Sequence, residues 1–291
     1  MTNNIEEILN TIILDDVLLG LAKIPDESVH LVASSPPYNV DLKGYKNRDD
    51  NELYSVYLEW LKDIMIHCKR ILVDGGRLVI NIDAMTNRQE DSDKEYVRPI
   101  YADLVNIGRE IGLNFRTEIC WYKQNGVGRK TAWGSYCSCS NPIIRRNHEY
   151  LLVWSKGDWK LDGDPELSDM TAEEFQKWTF STWFVQPETR NRNNHPAPFP
   201  EELIKRVIKL FSYRGNTVLD PFSGTGTTAV VAKMFGRNYI GIDNSKSDVE
   251  YSVDRISSVV NIFDNYVPRS KRMEIEKSDK NVEDIGMNEV F

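Results

Sequence analysis

The chain is expected to fold as an α/β domain around a doubly wound, mostly parallel sheet, on three observations. The apolar β-formers of Val29 to Ala33 and of Arg77 to Ile82 flank a helical pattern over 54–72, which makes a βαβ unit. A second unit follows late in the chain: Asn216 to Asp220 as a strand, a glycine loop, a helix from Thr227 to Phe235 and a strand from Tyr239 to Asp243. Third, one strand in each unit runs into a turn of unusual chemistry, Ser35-Pro36-Pro37-Tyr38 in the first and Asp220-Pro221-Phe222-Ser223-Gly224-Thr225-Gly226-Thr227 in the second. Open α/β sheets bind ligands where the carboxyl ends of neighbouring strands diverge, so the two turns are expected to face one cleft.

The elements follow in order. A short strand at Thr11 to Leu14 precedes Asp16. The first unit's helix carries Tyr57, Leu58, Leu61, Ile64 and Met65 on one face and stops at Asp74-Gly75-Gly76. A helix from Ile100 to Ile111 ends at Gly112, and strands at Arg116 to Tyr122 and Tyr150 to Ser155 are expected to pair antiparallel as an edge hairpin. Between them lies a long excursion, Lys123 to Arg146, rich in Gly, Ser, Asn and aromatic residues and without a clear period. Excursions of that length in a compact domain are commonly functional. Thr171 stands three residues before Glu174, a capping box that opens a helix to Trp178. The stiff segment Asn194 to Pro200 leads into a helix from Glu201 to Phe211, and the polar end beyond Arg269 reads as a loosely held tail.

Composition narrows the class. At 291 residues the chain can bury a full core without staples, and its 4 cysteines predict a reducing, cytoplasmic setting. No apolar run approaches the roughly 20 residues of a spanning helix, and no targeting segment is recognisable. The net charge of -8, from 36 basic and 44 acidic residues, argues mildly against a polyanionic partner. The distribution argues the other way: from Arg116 to Arg146 the basic residues include Lys123, Arg129, Lys130 and Arg145, with Glu118 the only acid. A basic face on an acidic protein is compatible with DNA.

The glycine loop lets backbone approach a ligand closely. Asp243 ends the next strand, where an acid can accept hydrogen bonds from ribose hydroxyls. The triple-glycine dinucleotide pattern and the Lys-Ser/Thr of a phosphate loop are both absent. A ligand with a ribose and no phosphate chain is favoured, S-adenosylmethionine being a common one. In Ser35-Pro36-Pro37-Tyr38 the two prolines stiffen the backbone so that a carbonyl and the Ser35 side chain can address one spot, and Tyr38 offers a flat face. Such a site suits an exocyclic amine of a base: acceptors on its hydrogens localise a lone pair otherwise delocalised into the ring. Unstacking the base costs roughly a few kcal/mol.

Those two motifs in this order resemble the β group of amino-methylating DNA methyltransferases, and the resemblance spans Ile12 to Ile256. It implies the class I S-adenosylmethionine-dependent fold with a permuted motif order. Its implied division is 1–123 for the half carrying the catalytic motif, 124–147 for target recognition, 148–262 for the half carrying the cofactor motifs, and 263–291 for a polar tail. Catalysis is implied for Ser35, Pro36, Pro37 and Tyr38. Cofactor binding is implied for Asp16, His195, Pro196, Phe199, Asp220, Phe222, Gly224, Gly226, Thr227, Asp243 and Asn244. Asp15 departs from the glycine common before the family acid. DNA contacts are expected from Arg129, Lys130, Trp133, Tyr136, Arg145 and Arg146, and the loop from Asn39 to Asn51 is expected to close over the target base.

Ser rather than Asp at position 35 implies cytosine N4 as the target, with adenine N6 the alternative and a non-catalytic DNA-binding protein of the same fold a remoter one. Methylation at cytosine C5 needs a Pro-Cys nucleophile, and no cysteine here follows a proline. Double-stranded DNA is the implied substrate, with a homodimer and a cognate restriction endonuclease as further partners. No metal is expected, because Cys137, Cys139 and His148 do not complete a four-ligand set. His30 and His67 read as structural, His148-Glu149 as a packing or turn pair, and Trp121, Trp154, Trp178 and Trp183 as core or lid residues.

Overall fold

The structure, a computed structural model, describes residues 4–39, 53–83, 85–89, 92–123, 134–142, 144, 147–188, 199–260 and 267–277, with backbone alone over 85–97. Its main sheet takes strands from both ends of the chain. In chain order these are β1 (Thr11–Leu14), β2 (Val29–Ser34), β3 (Leu72–Ile82), a separate hairpin of β4 (Met85–Gln89) and β5 (Ser92–Arg98), then β6 (Asn114–Tyr122), β7 (His148–Ser155), β8 (Thr182–Phe184), β9 (Thr217–Asp220) and β10 (Asn238–Asp243). The eight-stranded sheet has the order β1-β10-β9-β2-β3-β7-β6-β8. From β1 to β3 every pair is parallel; β7 runs antiparallel to both β3 and β6, and β8 is parallel to β6. The predicted hairpin is therefore present, one strand further in than expected, because β8 covers its outer edge.

Helices cover both faces. On one face lie α1 (Val17–Ala22), α2 (Tyr54–Ile71) and α3 (Ile100–Glu110), and on the other α4 (Ala172–Trp178), α5 (Glu201–Phe211), α6 (Thr227–Met234) and α7 (Lys246–Ser257). The two-residue alternation of the strands feeds both layers. Val32, Leu78, Leu152, Leu219 and Ile240 join the first core, whereas Leu31, Val79, Val153, Val218 and Tyr239 join the second. Strands buried on both faces explain why β2, β9 and β10 read as nearly continuous apolar runs.

Several local details follow from single residues. α2 runs straight into β3, and the predicted stop at Asp74-Gly75-Gly76 survives as a slip in register: Val29 pairs with Leu72, but Leu31 pairs with Arg77. Gly75 sits at φ +70 with its missing Cβ pointing at the Lys160 carbonyl, 2.0 Å away, so no other residue fits. The capping box at Thr171 and Glu174 is formed. The tail is less loose than its composition suggests. Residues 269–277 are helical, Ser270 N–H donates to Glu166 Oε2 (3.0 Å), and the Glu276 carboxylate accepts from the Ala172 N–H at the first turn of α4 (3.3 Å). A carboxylate at a helix N-terminus meets both orphan donors and the positive end of the dipole.

His30 is structural, as expected. Its Nδ1 accepts the Thr217 N–H at 3.2 Å, tying the start of β2 to that of β9, and burial pulls its pKa below 6.5. The unfolded chain then binds a proton that the folded one refuses, so this contribution to stability is complete above 6.5 and is lost as pH falls through the lower folded value. The expected outcome is that His30→Asn, which keeps an acceptor but cannot charge, shows a smaller drop in urea midpoint between about pH 7.5 and about pH 5 than the parent protein.

Candidate active site

Strand order places the two predicted turns side by side. Neighbouring parallel strands β2 and β9 leave for opposite halves of the sheet, β2 through α2 to β3 and β9 through α6 to β10. That divergence is the topological switch point. Ser35 to Tyr38 leave the end of β2, and Pro221 to Gly226 leave the end of β9.

A buried carboxylate joins them. Ser34 Oγ donates to Asp220 Oδ1 (2.5 Å), Thr228 Oγ1 donates to Oδ2 (2.6 Å), and the Phe222 N–H donates to Oδ1 (3.0 Å). Burial pushes the Asp220 carboxyl above its ordinary pKa; these three hydrogen bonds oppose that, and nearby Asp243 adds to it. The Asp220 carboxylate is thus engaged within the protein, holding the two turns together.

On the β9 side the loop is a cradle. Gly224 lies at φ +48 and Gly226 at φ +74, and a Cβ on Gly226 would stand 2.6 Å from Cβ of Ser252. The Gly224 N–H donates to Asp243 Oδ2 and the Ser245 N–H to Asp243 Oδ1, both at 2.8 Å, so the acid ending β10 shapes the loop. Thr227 opens α6, whose N-cap glycine provides no side-chain cap, and Ser223 Oγ is buried with no hydrogen-bond partner among the described residues. Asp16 caps α1 by accepting the Leu18 N–H at 2.9 Å, and the Asp15 N–H donates to the Asp243 carbonyl (3.0 Å). Asp16 and Asp243 therefore end adjacent strands. Asn244 is exposed beyond them, and Phe199 is half-buried against the second core just ahead of α5. Asp15, in the position of the missing family glycine, pairs with Lys23 at 2.5 Å, which keeps its carboxyl below its usual pKa.

The β2 side holds a polar network that extends beyond the predicted motif. Ser35 Oγ and Tyr38 Oη are 3.1 Å apart. Asn81 Nδ2, from β3, donates to Tyr38 Oη (2.9 Å) and to Glu149 Oε2 (2.7 Å), Tyr38 Oη donates to Glu149 Oε2 (3.3 Å), and Lys123 Nζ is paired with Glu149 Oε1. Lys123 also lies 4.4 Å from the centroid of the Trp121 ring. From α2, Tyr57 Oη donates to the Pro37 carbonyl at 2.6 Å, while Trp60 packs on Phe222 with centroids 5.5 Å apart. One helix thereby supports both turns.

Glu149 and Asn81 escaped the sequence analysis. His148-Glu149 reads as a packing pair because nothing local shows that β7 will insert beside β3 and carry Glu149 to Tyr38. The alternation of β7 was a usable signal, since Glu149 is an acid on the same face as Leu151 and Val153, both buried. His148 stays at the side, with Nε2 3.2 Å from Tyr150 Oη. Tyr136 is 74% exposed in the turn bridged by Gly134 and Pro142. Arg129, Lys130, Trp133, Arg145, Arg146, His195 and Pro196, and the loop beyond Asn39, lie outside the described residues. Among the described residues no cluster of His, Cys, Asp and Glu could hold a metal, and no helix is long and apolar enough to cross a membrane.

The doubly wound sheet, its switch point and the glycine cradle beside an acid define a class I methyltransferase fold. Comparison with known proteins agrees. The Type II methyltransferase M.MjaVI of Methanocaldococcus jannaschii is 38% identical over 180 residues, covering 62% of this chain and 87% of that protein. M.HpaI of Haemophilus parainfluenzae is 28% identical over 92% of this chain and 81% of its own length. The crystal structure of a DNA modification methylase from Thermus thermophilus, TTHA0409, in complex with S-adenosyl-L-methionine superposes with a TM-score of 0.70 at 28% identity, covering 87% of this chain and 95% of that one. PvuII DNA methyltransferase (cytosine-N4-specific), 20% identical with a TM-score of 0.66 over 91% of this chain and 90% of its own, shares the fold. The N6/N4-type DNA methylase family matches residues 29–254, and the chain belongs to it. S-adenosylmethionine is its cofactor, and the buried Ser223 hydroxyl and the Cβ-free cradle of Gly224 and Gly226 fit such a guest.

The Asp220 junction is open to test. Ser34→Ala removes a donor from a buried carboxylate and is expected to lower stability by about 1–3 kcal/mol. Urea unfolding of the two proteins measures it.

Proposed function

We propose that this DNA methyltransferase transfers a methyl group from S-adenosylmethionine to the N4 amine of a cytosine within a specific duplex sequence, acting directly on a base rotated out of the helix. The observation that carries this reading is Ser35 itself: a neutral hydroxyl at the mouth of the switch point, beside Tyr38 and next in sequence to the serine bonded to Asp220. The family resemblance associates serine at this position with cytosine.

The roles divide along the sheet. Asp16, Phe199, Asp220, Phe222, Gly224, Gly226, Thr227, Asp243 and Asn244, with His195 and Pro196, are assigned to the cofactor side. Asp220 contributes by fixing the loop rather than by free lone pairs, since its oxygens are already engaged. Bound cofactor supplies an electrophilic methyl group. The chain supplies the placement of the amine: Ser35 Oγ and a carbonyl of the Pro36-Pro37 segment accept its hydrogens, and the Tyr38 ring offers a stacking face. The Tyr57 hydroxyl holds the Pro37 carbonyl in place from behind. Arg129, Lys130, Trp133, Tyr136, Arg145 and Arg146 are assigned to DNA, as phosphate anchors, base-edge readers or stacking groups. A cognate endonuclease and a homodimer complete the proposal as partners.

DNA from cells expressing the protein, digested to nucleosides and analysed by mass spectrometry, is expected to contain N4-methylcytosine. N6-methyladenine in its place overturns the base assignment, and no methylated base overturns the activity. Ser35→Ala and Tyr38→Ala are expected to lower methyl transfer by roughly a hundredfold or more while S-adenosylmethionine affinity, measured by calorimetry, stays within about twofold. Full turnover in both variants would remove these residues from the site.

A further inference from the structure

Resting on the amine-acceptor role of Ser35 proposed above, we infer that Glu149 is a positioning residue: acting through Tyr38, it sets the direction of the hydroxyl chain so that Ser35 accepts a hydrogen bond from the target amine rather than offering one. A serine hydroxyl is both donor and acceptor. Pointing its hydrogen at the amine would compete for the lone pair that must attack; pointing it away leaves the Ser35 lone pairs for the amine's own hydrogens. Ser35 alone does not decide between these states.

The network decides it by donor and acceptor counting. Lys123 has only donors, and it is paired with Glu149 Oε1, which orients this carboxylate. Glu149 Oε2 then faces Asn81 at 2.7 Å and Tyr38 at 3.3 Å. A carboxylate oxygen cannot face the Asn81 amide oxygen at that distance, so the amide presents Nδ2, whose second hydrogen goes to Tyr38 Oη at 2.9 Å. The phenol's single hydrogen goes to the carboxylate oxygen of Glu149, a stronger acceptor than a serine hydroxyl. The 3.1 Å contact between Ser35 Oγ and Tyr38 Oη is then a hydrogen bond only if Ser35 is the donor. Tyr38 Oη receives two hydrogens and gives one, and the Ser35 hydrogen is committed inward. The chain of dipoles ending on an anion also polarises the Ser35 oxygen, making it a better acceptor than an isolated hydroxyl.

The arrangement depends on charge more than on shape. Glu149 is 9% exposed and Asn81 2%, both held by strands that pair at Asn81 and Leu151, so a glutamine at 149 retains the packing. Its amide cannot satisfy both sides in the same way. Turned with nitrogen toward Lys123 it sets donor against donor; turned the other way it donates to Tyr38, the phenol turns to Ser35, and the Ser35 hydrogen is driven outward.

Two measurements on Glu149→Gln test the inference. In the cofactor-free protein carrying tyrosine labelled with 13C at Cζ, the Tyr38 signal, assigned by its loss in Tyr38→Phe, is expected to move in Glu149→Gln as the phenol loses its anionic acceptor. An unchanged signal overturns the inference whatever the activity. With a duplex that the parent protein methylates, the single-turnover rate of Glu149→Gln is expected to fall on the order of a hundredfold, with S-adenosylmethionine and DNA affinities within about twofold of the parent. Because Glu149 acts through the phenol, Glu149→Gln combined with Tyr38→Phe is expected to lose little more than Tyr38→Phe alone. Losses that multiply, or a rate for Glu149→Gln equal to the parent's, overturn it. Failure of the parent to methylate any duplex would count against the proposed function, while the labelled tyrosine would still decide the role of Glu149.

Discussion

The buried carboxylate of Asp220 is the constraint on which the site depends. A charge-bearing group excluded from water persists only if its oxygens are met by donors. The donors here come from three places: Ser34 at the end of β2, Thr228 inside α6 and the Phe222 amide of the glycine loop. Satisfying one group therefore fixes the separation of a strand end, a loop and a helix start. Ser34 is followed directly by Ser35, so the residue assigned to the target amine is held one peptide away from the group that shapes the cofactor loop.

Around that junction the sheet arranges chemistry by strand order. Asp16 and Asp243 end β1 and β10 on one side of β9, whereas Asn81 on β3 and Glu149 on β7 lie on the other side of β2. The antiparallel direction of β7 matters for function. It brings the start of that strand, where Glu149 lies, to the end of β3 where Asn81 lies, with Ile82 paired to Tyr150. A parallel strand in that position would present its carboxyl end there instead. Helix α2 braces both halves, with Tyr57 on the Pro37 carbonyl and Trp60 on Phe222.

Much of this was legible in the sequence. β1 and α5 match their predicted bounds, and the Thr171 capping box is present as expected. These are the elements with strong local signals: β-branched runs, a period near 3.6, and a serine or threonine cap paired with an acid. Helices α1 and α7 went unread because a short or polar helix stabilised by tertiary packing carries little periodicity. Strand β8, of 3 residues, is too short to show alternation and exists because β6 offers it an edge. The tail was judged by polarity alone, and the interaction that orders 269–277, a carboxylate at the start of α4, depends on a helix nearly a hundred residues earlier in the chain.

For the site the division is similar. The sequence by itself determined the class of chemistry, because a Pro-Pro turn, a glycine loop and an acid after the next strand are each requirements of backbone geometry that only certain residues meet. It could not determine that Asp220 spends its lone pairs inside the protein, or that Glu149 and Lys123 stand behind Tyr38. Those facts are contacts between residues 186 positions apart in one case and 111 in the other. Only the stacking of β9 on β2 and of β7 on β3 brings them within hydrogen-bond range, and burial then makes each unmet donor or acceptor costly enough to hold the pairing.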